Sequence, residues 1–407
     1  MPFPVILPPH ALLPIIASSL LAVTGLSVAQ TSEAAARNAE KVSALEARMP
    51  LGPRSARDVG LRAMWRYGVD LAQIRSLFMS GDAAFLVNTN NEVTMINMET
   101  GRRRWKSFGG GGSDLIVDIV LVKEAEKVVV VRSNSILTLS SRTGLPTLLG
   151  TTQSSVQPLE WISDTKGSMY GRAYIYGGLA GEVVWQDWSL GFPTNVHRIG
   201  RKVQAQPAVF GSSVVASSRT GELVAMAADD GLLHWQKYLL GPMAGSPASG
   251  TMNESATGDA STVTRILYVA SRDQHLRAYN LADGKLRWSK LFEQPLASGP
   301  VLVDRRVIQQ VPGTGLVCME GLPPDAPEGK VVWTSSDVRG RVIGSTGDLL
   351  LTWDDDTTTL QTVSKATGSV DASSAASNVT HMLMQDDSLL LLGGQGELVC
   401  YQPTLSD

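Results

Sequence analysis

A hairpin signature recurs eight times along this chain: an extended apolar run, a tight turn and a second run, followed in six copies by a Gly ten residues past the turn. The turns fall at Asn91, Asn134, Gly181, Gly221, Gln274, Gly315, Thr358 and Gly396, and the later landmark at Gly101, Gly144, Gly191, Gly231, Gly284 and Gly368. In the sixth copy the spacing stretches, and the landmark is Gly329. Four copies continue to a Trp four residues on, giving Gly101/Trp105, Gly231/Trp235, Gly284/Trp288 and Gly329/Trp333. Turn-to-turn gaps of 43, 47, 40, 53, 41, 43 and 38 residues define a period near forty, which is the mark of a repeat architecture.

The period-two pattern predicts what each repeat contains. Phe85-Leu86-Val87, Val214-Val215-Ala216, Leu267-Tyr268-Val269-Ala270 and Leu349-Leu350-Leu351 are short β-favouring runs. Each is followed by a polar turn and a partner run such as Val93-Thr94-Met95-Ile96 or Leu276-Arg277-Ala278-Tyr279, which reads as an antiparallel hairpin. A strand before the hairpin opens near Gln206-Pro207, Ser246-Pro247 or Gly299-Pro300, where Pro is tolerated. The run starting at each Trp supplies a fourth strand. One such sheet cannot bury both faces alone, so neighbouring copies stack, and radial stacking gives an all-β, eight-bladed β-propeller of four-stranded antiparallel blades.

The two ends of the repeat array complement one another. The last hairpin, from Leu389 to Tyr401, lacks a fourth strand before Asp407, whereas Met64-Trp65-Arg66-Tyr67-Gly68 reads as a fourth strand with no hairpin before it. The N-terminal segment is therefore expected to close the ring as the outermost strand of the last blade, and removal of residues 61–70 to open it.

The text Ala-x-Asp-x-x-Thr-Gly-x-x-x-Trp resembles the repeat of the pyrroloquinoline-quinone-like (PQQ-like) β-propeller family over residues 61–407. Its copies here include Met98-Glu99-Thr100-Gly101-Arg102-Arg103-Arg104-Trp105 and Leu281-Ala282-Asp283-Gly284-Lys285-Leu286-Arg287-Trp288. The resemblance implies that Trp65, Trp105, Trp235, Trp288 and Trp333 dock adjacent blades together with Gly101, Gly231, Gly284 and Gly329. Burial of each Trp is expected to add on the order of a few kcal/mol to blade contact. Leu148, Asn195 and Ala372 stand at the equivalent positions of degenerate copies, whose blades are expected to be the weaker ones.

Composition fits a large soluble core: 43% hydrophobic residues and a net charge of −3, a balance that points to no nucleic-acid partner. Arg102-Arg103-Arg104-Trp105-Lys106 is the one concentrated basic run and reads as a solvated turn, with an anionic docking patch as the alternative. Residues 1–29 read as a secretory signal, mostly apolar from Ala11 to Ala29 and ending in Ser27-Val28-Ala29. No Lys or Arg precedes the apolar run, so an uncleaved N-terminal anchor is the alternative; with no Cys present, a lipid anchor is not expected. Residues 30–60 read as a short helix over Thr31 to Met49 with a Ser32 cap candidate, then a linker from Leu51 to Gly60. Cys318 and Cys400 fall in equivalent strands two blades apart, too far for a disulfide, and are expected to be buried thiols.

Residue patterns for chemistry are sparse. His10, His197, His234, His275 and His381 lack metal-ligand spacing, and no Gly-x-Ser-x-Gly elbow appears. Gly109 to Gly112 lacks the Lys and Ser/Thr of a phosphate loop and reads as an inter-blade loop. Asp354-Asp355-Asp356 falls where a hairpin must turn and lacks the alternation of a calcium loop. No catalytic, cofactor-binding or metal residue is therefore assigned, and no cofactor is expected. Within the resembling family, quinoprotein dehydrogenases carry long insertions with an Asp base and calcium ligands; the longest insertions here, Gly250 to Val263 and Gly321 to Glu328, are rich in Gly, Ser, Thr, Asn and Pro, as flexible loops are. The non-enzymatic class, which includes the BamB-type subunit of the outer-membrane barrel-assembly machinery, matches better in length. The resemblance thus implies an exported, periplasmic, monomeric scaffold that presents loops to an envelope or outer-membrane protein. On this reading the chain meets a membrane only through that partner or an uncleaved N-terminal segment. A PQQ-dependent oxidoreductase and an extracytoplasmic ligand sensor are the alternatives.

Overall fold

A computed structural model describes residues 36–110, 114–147, 155–156, 166–254, 262–323, 325–376 and 379–404. The expected signal segment, residues 31–35 of the expected helix and Leu148 lie outside them.

Among the described residues, thirty-two strands form eight four-stranded antiparallel sheets. Seven blades are consecutive in sequence, the first being β2 (Ile74–Ser80), β3 (Ala83–Asn88), β4 (Glu92–Asn97) and β5 (Arg103–Phe108). The eighth joins β1 (Leu61–Gly68), β32 (Glu397–Pro403), β31 (Ser388–Gly393) and β30 (Val379–Gln385) in that order, so β1 is its outermost strand, pairing with β32 from Leu61↔Pro403 to Gly68↔Glu397. This is the closure the sequence predicts. The innermost strands, such as β2, β6 (Ile116–Val122) and β30 (Val379–Gln385), approach one another around the axis.

The apolar residues sit between blades. Second and third strands are the most buried, and all six residues of β3 are buried, because both faces of a blade meet a neighbour. Fourth strands alternate: β5 and β17 (Leu233–Tyr238) bury only the Trp fully. A bulge recurs in every well-paired outer strand, placing one extra residue just before the Trp position. It is Met64 in β1, Arg104 in β5, Thr194 in β13 (Pro193–Arg198), His234 in β17, Arg287 in β21 (Leu286–Leu291), Val332 in β25 (Val331–Ser335) and Asp371 in β29 (Val370–Ala375). A bulge re-aims the following side chain, here toward the next blade.

Two expectations need correction. The segment from Leu51 to Gly60 is not a free linker. Residues 36–48 form helix α1 and Pro53–Asp58 form α2, and Glu46 of α1 accepts from the Arg54 and Ser55 amides at 3.1 and 3.0 Å. Those amides are donors that a helix start leaves unpaired, and Gly52 at the N-cap has no side chain to serve them. The insertion from Gly250 to Val263 is likewise partly regular, because β18 (Ala248–Glu254) and β19 (Thr262–Ala270) extend into it as a lengthened hairpin.

Candidate interaction surface

The joints between blades determine which surfaces remain open. Trp105 Nε1 donates to Ser141 O of the next blade at 2.9 Å, Trp235 to Leu281 O at 2.7 Å, Trp288 to Gly321 O at 2.9 Å and Trp333 to Lys365 O at 2.9 Å. Trp65 makes the same bond to Met98 O across the closure. Each ring lies on a Gly of that turn. A Cβ on Gly101 would sit 2.6 Å from the Trp65 ring, one on Gly284 2.7 Å from Trp235, and one on Gly329 3.1 Å from Trp288. Gly231 belongs to the same set but meets Asn195, in the degenerate copy.

That degenerate joint is not empty. Trp185, paired across the sheet with Asn195, is fully buried and donates to Ala228 O of the fourth blade at 2.9 Å. The indole has moved one strand inward while keeping the bond. Trp185 is an aromatic on the third strand in a copy whose fourth strand lacks one, and only the pairing of those two strands connects it to the joint.

The joint holding Ala372 is filled by the N-terminal segment. Met49, Leu51, Ala56, Val59 and Leu61 share one core with Leu351, Trp353 and Leu360 of the seventh blade and Leu389, Leu391, Val399 and Tyr401 of the eighth. The Tyr401 hydroxyl, whose pKa burial raises, donates to Leu51 O and accepts from Leu51 N. At the joint of the second and third blades a polar contact appears instead, with Tyr174 Oη donating to Asp118 at 3.0 Å in the interior.

The singled-out polar residues mostly serve turns. Asp354 accepts from Asp356 N and Thr357 Oγ1 within its hairpin. Arg104 pairs with Asp82 and Lys106 with Glu92 at the surface. Gly109 and Gly110 lie in the connection to the second blade. Cys318 and Cys400 are buried free thiols in the third strands of the sixth and eighth blades, and burial pushes both up to about 11. Asp273 is also buried, which opposes ionisation, yet bonds from Arg277 and Ser271 hold its pKa below the ordinary value. Among the described residues no group of three or more His, Cys, Asp or Glu side chains is placed to hold a metal ion.

Exposed apolar side chains are unevenly distributed. Leu179, Leu190, Phe192 and Val196 lie on the third blade, Leu232, Leu233, Tyr238 and Leu240 on the fourth, and Val263, Leu286 and Leu291 on the fifth. Tyr238 is 75% and Leu240 91% exposed, at the end of the fourth blade where its outer strand leaves for the fifth. Among the described residues the seventh blade has none and the eighth only Met64. Basic residues gather in the N-terminal segment, β1 and the first blade: residues 36–110 hold twelve Lys or Arg against seven Asp or Glu, while the rest of the chain has an excess of acids.

A family model described as outer membrane protein assembly factor BamB matches residues 170–253 and 249–406. Among solved structures, BamB from Moraxella catarrhalis is similar with a TM-score of 0.60 at 15% identity, covering 85% of this chain and 99% of that one. The computationally designed Ika8 protein gives 0.60 at 11% identity, covering 84% and 99%. The C-terminal WD40 domain of Sif2 gives 0.57 at 10% identity, covering 85% and 99%. These three share the ring and little else, so the structural likeness speaks to fold alone. No curated protein sequence matches the chain.

Proposed function

We propose that this protein, which belongs to the outer membrane protein assembly factor BamB family, is a non-enzymatic scaffold that binds another protein of the cell envelope. The observation that carries the reading is the run of exposed apolar side chains over the third to fifth blades. Large apolar side chains left exposed on neighbouring blades of a well-packed domain are the material of an interaction site, and Tyr238 and Leu240, at the end of a rigid strand, are preorganised to bury area on a partner. The family description supports placing that partner among the proteins of outer-membrane assembly, with the chain exported to the periplasm.

The reading assigns no catalytic residue and no cofactor. It is tested by titrating the purified chain with PQQ and calcium and assaying dye-linked oxidation of alcohols and sugars. No saturable binding and no turnover are expected; saturable quinone binding with turnover overturns the reading in favour of an oxidoreductase.

A further inference from the structure

The eighth blade carries a second surface of different chemistry. A groove of about 590 Å³ runs beside β1, lined by the consecutive residues Leu61 to Arg66 on one wall and by Leu45, Met49, Pro53 and Arg57 of the N-terminal helices on the other. Three observations describe what it can hold. First, β1 is an edge: it pairs with β32 on one side, and among the described residues no other backbone joins it. At eight residues it is also longer than the five- or six-residue outer strands β5, β17, β25 and β29. Secondly, the groove is amphipathic, with Leu45, Met49 and the half-exposed bulge residue Met64 beside Arg57, Arg62 and Arg66. Thirdly, these three exposed arginines make no ion pair among the described residues, and Asp58 and Asp70, the acids nearest to them in sequence, do not line the groove.

From this we infer that the free edge of β1 accepts an extended segment of a protein partner, one that carries acidic residues three positions apart among apolar ones and adds as a fifth strand to the eighth blade. An unpaired strand edge offers a ladder of backbone donors and acceptors that only another strand satisfies, and pockets beside it select alternate side chains. The Met64 bulge turns Arg62 and Arg66 to opposite faces of the sheet, opposite β32 residues three apart, so acidic residues three positions apart on the added strand supply the cross-strand charge pairs, while the apolar positions between them meet Met64 and the Leu45 and Met49 wall. The cavity follows six consecutive strand residues, a shape suited to an extended chain rather than a compact ligand. This inference rests on the scaffold reading and assigns it a second contact, remote from the third to fifth blades.

The test is fluorescence anisotropy of the full chain with a labelled short valine-rich peptide carrying two glutamates three residues apart. Saturable binding is expected, weakened by about tenfold or more in Arg62→Glu/Arg66→Glu. Arg62→Gln/Arg66→Gln, which keeps the strand and removes only charge, is expected to fall between the two at an unchanged melting temperature. An analogue of the peptide N-methylated at alternate residues keeps its charge and loses its backbone donors, and is expected not to bind. Equal binding of the two peptides, or displacement of the peptide by phosphatidylglycerol vesicles, overturns strand addition in favour of a generic anion surface. A chain that captures an envelope partner through its fourth blade yet ignores the peptide overturns this assignment alone. One that binds the peptide but captures nothing overturns the scaffold reading instead.

Discussion

Trp185 of the third blade donates its indole N–H to the Ala228 carbonyl of the fourth at 2.9 Å, although Trp185 stands outside the repeat motif. It meets the same turn that the motif Trp meets at other joints, so the copy carrying Asn195 is not a weak one. Removing either kind of indole leaves a cavity and an unpaired carbonyl. Trp185→Ala and Trp105→Ala are each expected to destabilise the protein by about 3–5 kcal/mol, measured by urea unfolding. A Trp185→Ala cost below about 1 kcal/mol would show that the third joint does not depend on it.

Closure of the ring rests on β1 and on the segment before it. Tyr401→Phe removes the hydroxyl that bridges Leu51 N and Leu51 O and leaves both backbone groups buried, at an expected cost of about 1–3 kcal/mol. Deletion of residues 61–70 takes away the whole outer strand of the eighth blade and is expected to abolish the cooperative thermal transition. Retention of a wild-type melting curve by the deleted form would refute closure.

Gly101 sits at φ +67° with the Trp65 ring 2.6 Å from where a Cβ would lie. A left-handed non-glycine residue costs about 1–3 kcal/mol by itself, and the clash adds to it. Gly101→Ala is expected to exceed Gly60→Ala, which has a similar φ of +67° and open space around it; equal costs in thermal unfolding would remove the ring contact from the explanation.

Burial holds the Asp118 carboxyl above its ordinary value of 3.8, and the nearby Lys166 charge and the Tyr174 hydroxyl offset this only in part. The folded state therefore binds this proton more tightly than the unfolded chain does. Its contribution is present at acid pH and is lost as pH rises from about 4 through the folded value. Asp118→Asn has no such dependence, so its stability relative to the wild type is expected to improve from pH about 3.5 to 7, followed by urea midpoints. A constant difference would place the Asp118 pKa at its ordinary value.

The eight blades, their order and the closure by β1 were legible because turn spacing, the recurring Gly and the split last repeat are all local signals. The five motif Trp residues were legible for the same reason. Trp185 was not, because its role depends on cross-strand pairing with Asn195 rather than on a fixed offset from a Gly. The fold of Met49 to Val59 was hidden too, since its apolar residues answer to Leu351 and Tyr401 at the far end of the chain. The exposed surface of the third to fifth blades could not be read at all: Leu233 and Leu286 follow their turns just as Arg103 does, and only accessibility separates an interaction side chain from a core one.

The central claim is tested most directly by affinity capture of the tagged full chain from gently solubilised native envelopes, side by side with Tyr238→Asp/Leu240→Asp. Both residues lie on the exposed tip of the fourth blade, so the double variant is expected to keep the wild-type melting temperature. The account predicts stoichiometric recovery of an outer-membrane assembly protein with the wild type, retained through a salt wash and lost with the variant. Recovery of no stoichiometric partner, or equal recovery by both forms, would contradict it.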